Sequence, residues 1–153
     1  MVFFEPPHLA AFAAGVMPVW SVNVETEGWY GHPLRHEGWV KVANDLRGEV
    51  VDPDAPRVAS SEFLDASREF VARRIPQLAQ GRLVASRVCL YENTPDRHFV
   101  IDWVPGSRGI LVAGGGSGHG FKFGGSIGGV IADALEHKPN ALGDPFRIGQ
   151  RFG

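Results

Sequence analysis

Between Gly106 and Gly129 this chain concentrates many of its 20 glycines. That local clustering constrains the fold more than any overall property. An apolar run, Gly109 to Ala113, leads into Gly114-Gly115-Gly116 and then Ser117-Gly118-His119-Gly120-Phe121-Lys122-Phe123. A second glycine-rich stretch follows, in which Ile127, Val130, Ile131, Ala134 and Leu135 recur at helical spacing. The pattern predicts a strand, a turn nearly free of side chains with one lysine, and a helix from about Gly124 to His137. Gly124, Gly125, Gly128 and Gly129 each cost about 1 kcal/mol relative to alanine inside a helix. Their presence predicts close packing of the helix start against a strand or a ligand.

The rest of the chain reads as short strands around one helix. Val16 to Val24, Gly28 to His32 and Gly38 to Val42 are strand-like, with Pro33 to Glu37 as a hairpin connection, and suggest an antiparallel meander. Arg47 to Pro56, with Asp52-Pro53-Asp54, reads as a loop. Ser60 or Ser61 caps a helix to about Arg74, with Phe63, Phe70, Val71 and Ile75 as its apolar stripe and Pro76 as its stop. Glu62 and Asp65 near its start, and Arg73 and Arg74 near its end, match the helix dipole. Leu83 to Tyr91 reads as a strand that places Arg87, Cys89 and Tyr91 on one face. His98 to Trp103 is a further strand, and the tail from Pro139 to Gly153 is irregular.

Composition excludes several classes. A net charge of -2 without a basic block argues against a nucleic-acid footprint. No apolar run reaches spanning length, and the first residues lack the pattern of a signal peptide. The lone Cys89 excludes an internal disulfide and fits a reducing compartment, so a cytoplasmic location is expected. His32, His36, His98, His119 and His137 match no zinc spacing. Ser117 lies in Gly-x-Ser-x-His, which is not the elbow of a serine hydrolase. The glycine segment also fails the phosphate-binding patterns: Gly114-x-Gly116-x-x is followed by His119, and Gly120 is followed by Phe121, Lys122 and Phe123. What remains is a glycine turn at a helix N-terminus, where free N–H groups and the dipole favour developing negative charge. A tight turn that needs small residues for packing explains the same sequence.

The stretch from Arg87 to Asp102, followed by Ser117 to Phe123, resembles the C-terminal part of FAD-dependent amine oxidases of the D-amino-acid-oxidase-like superfamily, most nearly the monomeric sarcosine oxidase and N-methyl amino-acid oxidase type. Tyr30-Gly31-His32-Pro33 and Gly48 to Asp54 resemble that family in the same order. The resemblance implies an α+β chain: an antiparallel substrate-domain sheet over residues 1–105, and the last strand, glycine turn and helix of an incomplete FAD-binding domain over 106–153. It also implies that Met1 falls inside a strand of the substrate-binding sheet.

The implied cofactor is FAD, tethered through a thioether to Cys89. Gly118, His119, Gly120, Phe121 and Lys122 are implied to lie along the flavin. Lys122 matches a lysine that promotes reaction with oxygen, because a cation stabilises the superoxide that first forms. Tyr91 and Tyr30 match tyrosines beside the flavin and the substrate. The implied reaction is oxidation of the C–N bond of an amino acid or N-methyl amino acid, with oxygen as acceptor. Asp45 stands where family members carry a histidine, which changes the charge expected near the substrate amine. The family's dinucleotide fingerprint and carboxylate-binding arginines are absent, so a non-catalytic chain, or one dependent on an N-terminal FAD-binding polypeptide, is the alternative.

Overall fold

The computed structural model describes residues 1–23, 25–46 and 48–151. The expected strand end at Val24, the expected loop start at Arg47 and the last two residues of the tail lie outside the described residues. The chain divides into two compact units, Met1–Leu90 and Tyr91–Gly153.

The first unit is a five-stranded sheet with helices on one face. Strands β1 (Val2–Glu5), β2 (Trp20–Val22), β3 (Trp29–Leu34), β4 (Val40–Asn44) and β5 (Arg82–Ser86) lie in the order β2-β3-β4-β1-β5, and each neighbouring pair is antiparallel. The expected meander is β2-β3-β4, and Met1, which the resemblance placed inside a strand, immediately precedes β1. Pro33, expected in the connection, instead sits inside β3. The β3–β4 register shifts between His32 and Leu34, and a bulge there tolerates a residue with no N–H to donate.

Helix α1 (Ser61–Arg74) begins as expected. The Ser60 hydroxyl accepts a hydrogen bond from the Phe63 amide at 3.2 Å, Glu62 sits in the first turn, and Arg73 and Arg74 in the last. Pro76 ends α1 and opens the single turn α2 (Pro76–Ala79). The helices bring Phe70, Val71 and Leu78 onto Val2, Phe4, Trp29, Val40 and Val42, all buried. Phe70 stacks on Trp29 with centroids 4.6 Å apart and on Trp20 at 5.8 Å. Burying a side chain of this size stabilises the fold by roughly 1.5–3 kcal/mol. Gly31 makes the Trp20 position available: a Cβ there would lie 2.3 Å from Trp20 Cζ2 and 2.5 Å from the Lys41 carbonyl oxygen.

One expectation in this unit fails. The strand predicted from Leu83 to Tyr91 ends at Ser86, so Cys89 and Tyr91 share no strand face. β5 lies at the edge of this sheet and pairs with β1. Val2 faces Ser86, and Met1 and Arg87 exchange the final hydrogen bonds at 2.8 and 2.9 Å.

The second unit holds a two-stranded antiparallel ribbon, β6 (Val100–Trp103) with β7 (Leu111–Gly114), and helix α3 (Gly124–Leu135). The compact units part between Leu90 and Tyr91, and β6 finds its partner in β7. Arg151 fastens the tail: it donates to Asp96 Oδ2 at 2.6 Å and to the carbonyls of Phe99 and His98 at 2.5 and 3.2 Å. Helix α3 buries Val130, yet Cβ atoms placed at Gly124, Gly125, Gly128 and Gly129 would meet nothing within 4 Å. The close packing expected at this helix start is therefore not made by the described residues.

Candidate active site

In the second unit the glycine turn is stapled to the segment just after Tyr91. The Gly115 amide donates to Glu92 Oε2 at 3.0 Å, and the Ser117 amide to the Glu92 carbonyl at 3.0 Å. Ser117 is 2% exposed at φ +47, and its hydroxyl donates to the Gly115 carbonyl at 3.1 Å and accepts from the Thr94 amide at 3.3 Å. These bonds satisfy the amide and the hydroxyl of Ser117, so its role is to shape the turn.

Gly118 follows at φ +80, and a Cβ there would lie 2.8 Å from the Tyr91 ring. Glycine is required twice over, for the left-handed backbone and for the approach of the ring. His119 Nε2 lies 3.1 Å from the Arg97 carbonyl, an acceptor, so the nitrogen carries the proton. The imidazole also meets Phe99 and Phe123 edge-on, with centroids 6.5 and 6.3 Å away. The turn Gly120–Phe123 then feeds α3, whose start has no side-chain cap. Phe121 is fully exposed, and the exposed Lys122 holds its Nζ 5.2 Å from the Phe123 ring centroid.

The structure thus gathers Tyr91, Gly118, His119, Gly120, Phe121 and Lys122 in one unit. Their backbone forms a shelf leading to the positive end of α3, where Cβ atoms at Gly124 and Gly125 would meet nothing within 4 Å, with a lysine beside it. Such a shelf accepts a flat group carrying negative charge.

In the first unit, Tyr30 and His32 alternate away from the core, and Lys41 stands directly opposite His32. The Lys41 ammonium donates to the Tyr30 hydroxyl at 3.4 Å and lies 4.7 Å from the ring centroid. His32 meets Tyr30 edge-on at 6.2 Å. Burial, and then the charges of Lys41 and Arg35, push the His32 pKa down from 6.5. Sequence reasoning missed Lys41. The signal was the alternation itself: with Trp29, Val40 and Val42 facing the core, Tyr30, His32 and Lys41 must share the opposite face.

Cys89 is exposed beyond the end of β5. It lines a shallow cleft of about 530 Å³ with Arg57, Ser86, Arg87, Val88 and Leu90. Burial pushes the pKa of the Met1 ammonium down, and nearby Cys89 opposes that shift. Asp45, half-buried, follows β4, and its amide donates to the Gly28 carbonyl at 2.8 Å.

A family model described as FAD dependent oxidoreductase matches residues 1–134. The chain belongs to this family. Among curated relatives, monomeric sarcosine oxidase of Bacillus sp. (strain NS-129) is 35% identical over 118 residues, covering 75% of this chain and 30% of its own length. N-methyl-L-tryptophan oxidase of Escherichia coli is 32% identical over 124 residues, covering 80% of this chain and 33% of its own length. Among solved structures, the fructosyl amine:oxygen oxidoreductase Amadoriase I of Aspergillus fumigatus superposes with a TM-score of 0.77 at 27% identity, over 95% of this chain and 36% of that one. Glycine oxidase of Geobacillus kaustophilus shares the fold, with a TM-score of 0.76 at 21% identity. The chain spans about a third of the length of the curated relatives it matches. Among its described residues, no helix is long and apolar enough to cross a membrane.

Proposed function

We propose that this chain supplies the substrate-side sheet face and the flavin-side turn of an FAD-dependent amine oxidase. The whole enzyme would act in the cytoplasm on the C–N bond of an amino acid or N-methyl amino acid. The observation that carries this reading is the stapled turn Ser117–Lys122, with Tyr91 lying against Gly118, in a chain of the FAD-dependent oxidoreductase family. The donor set fits the cofactor: the uncapped start of α3 and its open glycines would receive the flavin's electron-rich edge. FAD, when bound, accepts the hydride equivalent from the carbon next to nitrogen and passes two electrons to oxygen, giving an imine and peroxide. Cys89 would tether it, Tyr91 would lie beside the flavin, and Tyr30 would serve the substrate side.

Two lysines compete for the oxygen step. Lys122 carries the expectation drawn from the family resemblance. Lys41 is favoured by its setting, half-buried against Tyr30, because a cation stabilises superoxide-like charge more strongly where water is scarce. The exposed Lys122, beside the positive helix end, suits the carboxylate of an amino-acid substrate. Stopped-flow kinetics separate these roles. Loss of the oxygen-facing lysine to methionine slows reoxidation by roughly 100-fold or more and spares reduction. Loss of a carboxylate-binding lysine weakens substrate binding and spares reoxidation. Equal effects on both half-reactions for both variants would sink the division.

The ADP-binding part of FAD has no site in this sequence, which favours a second reading in which the chain works only with additional polypeptide. Purified chain that is yellow, and keeps the colour through acid precipitation, establishes independent covalent binding; colourless protein supports the second reading.

A further inference from the structure

We propose that Tyr30 is a positioning residue for the Lys41 ammonium, holding it in one place on the open face of the sheet. This rests on the reading above, in which Lys41 faces oxygen. The geometry of β3 and β4 carries it. Lys41 stands opposite His32, and Tyr30 stands opposite Ala43, so Lys41 and Tyr30 are diagonal neighbours. A long side chain reaches such a neighbour across an antiparallel pair.

Ala43, opposite Tyr30, is small and buried, and Lys41 reaches the tyrosine. There it uses both parts of the residue: the hydroxyl at 3.4 Å and the ring face at 4.7 Å. Arg35, the other cation near His32, is drawn elsewhere. It pairs with Glu37 at 3.1 Å and lies 5.9 Å from the Phe3 ring centroid. His32, edge-on to Tyr30, closes the side of the cluster opposite Lys41. A flexible four-carbon stem is thereby restricted, so less ordering is left for the moment of reaction.

Amine labelling tests the clamp in the chain as it stands, with or without flavin. Lys41, Lys122 and Lys138 are the lysines of the chain, so two internal references accompany the one of interest. An acylating reagent must lift the ammonium off Tyr30 before it reacts. Labelling resolved by mass spectrometry is expected to be slower at Lys41 than at Lys122 and Lys138. Tyr30→Phe, which keeps the ring, should raise the Lys41 rate about 2-fold, and Tyr30→Leu about 5-fold, the scale of a partly exposed cation–aromatic contact. The rates at Lys122 and Lys138 should not move. A Lys41 rate unchanged by either substitution overturns the proposal. So does a rise shared by all the lysines, which reports general loosening. If the clamp holds and Lys41→Met nevertheless reoxidises normally, the positioning stands and the oxygen assignment falls.

Discussion

Replacing Gly31 by alanine should unseat Trp20. The added Cβ would lie 2.3 Å from Trp20 Cζ2 and 2.5 Å from the Lys41 carbonyl oxygen, against 3.4–4 Å for ordinary contact. The indole can swing away, but the carbonyl belongs to β4, and moving it strains the pairing of His32 with Lys41. Overpacking of this kind costs about 1–3 kcal/mol. Losing the 5.8 Å stack of Trp20 on Phe70 adds about 0.5–1.5 kcal/mol. One term opposes these. The Trp20 Nε1–H is buried without a partner among the described residues, and release to water recovers about 1 kcal/mol. The net cost is near 2 kcal/mol by these terms, which lowers a urea midpoint by about 1 M. Urea unfolding followed by fluorescence of Trp20, Trp29 and Trp39 measures it. Gly48→Ala, where a Cβ would meet open space, is the control. A Gly31→Ala midpoint equal to that of the control would refute the packing argument.

Three further outcomes are expected. Ser60→Ala removes the cap bonded to the Phe63 amide and should cost about 1 kcal/mol in the same urea experiment, whereas Ser61→Ala should cost less. Hydrogen bonds from Arg151 hold the Asp96 carboxyl well below the ordinary carboxylate range. A depressed carboxylate stabilises the fold above its unfolded pKa, near 3.8, and that stability is lost as pH falls toward the folded value. Asp96→Asn should therefore flatten the acid limb of hydrogen-exchange protection in 96–103, and an unchanged limb would count against the clamp. The His32 pKa is also depressed, so its contribution is complete above 6.5 and fades below it. Lys41→Met should raise the His32 midpoint, read from its imidazole proton resonances, but only part of the way, because burial is the larger cause.

The parts of the fold legible in the sequence were those set by neighbours in the chain. Ser60 caps α1 through an amide three residues on, and Pro76 stops the helix by its own ring, so both ends of α1 could be read directly. The end of β5 could not, because it depends on pairing with β1, some eighty residues earlier in the chain. Pro33 looked like a turn residue because the bulge that admits it forms only when β3 meets β4. The glycine turn was visible, and so was Tyr91, but not the reason they meet, which lies in the Cβ-free approach at Gly118. Lys41 went unnoticed because its significance arises from a diagonal across two strands. The glycines of α3 suggested a close neighbour, yet a sequence cannot say whether that neighbour lies within the same hundred and fifty residues.

The strand order carries a consequence for how the first unit assembles. β1 precedes both of its partners in the chain, yet it is an inner strand, and those partners, β4 and β5, come from Val40–Asn44 and Arg82–Ser86. Its apolar residues Val2, Phe3 and Phe4 must wait for both before they are covered. Contacts so distant in sequence make folding slow and leave the nascent segment sticky in the meantime. Chains stopped before Arg82 would present β1 with one side unpaired, whereas chains long enough to release Ser86 from the exit tunnel could close the sheet.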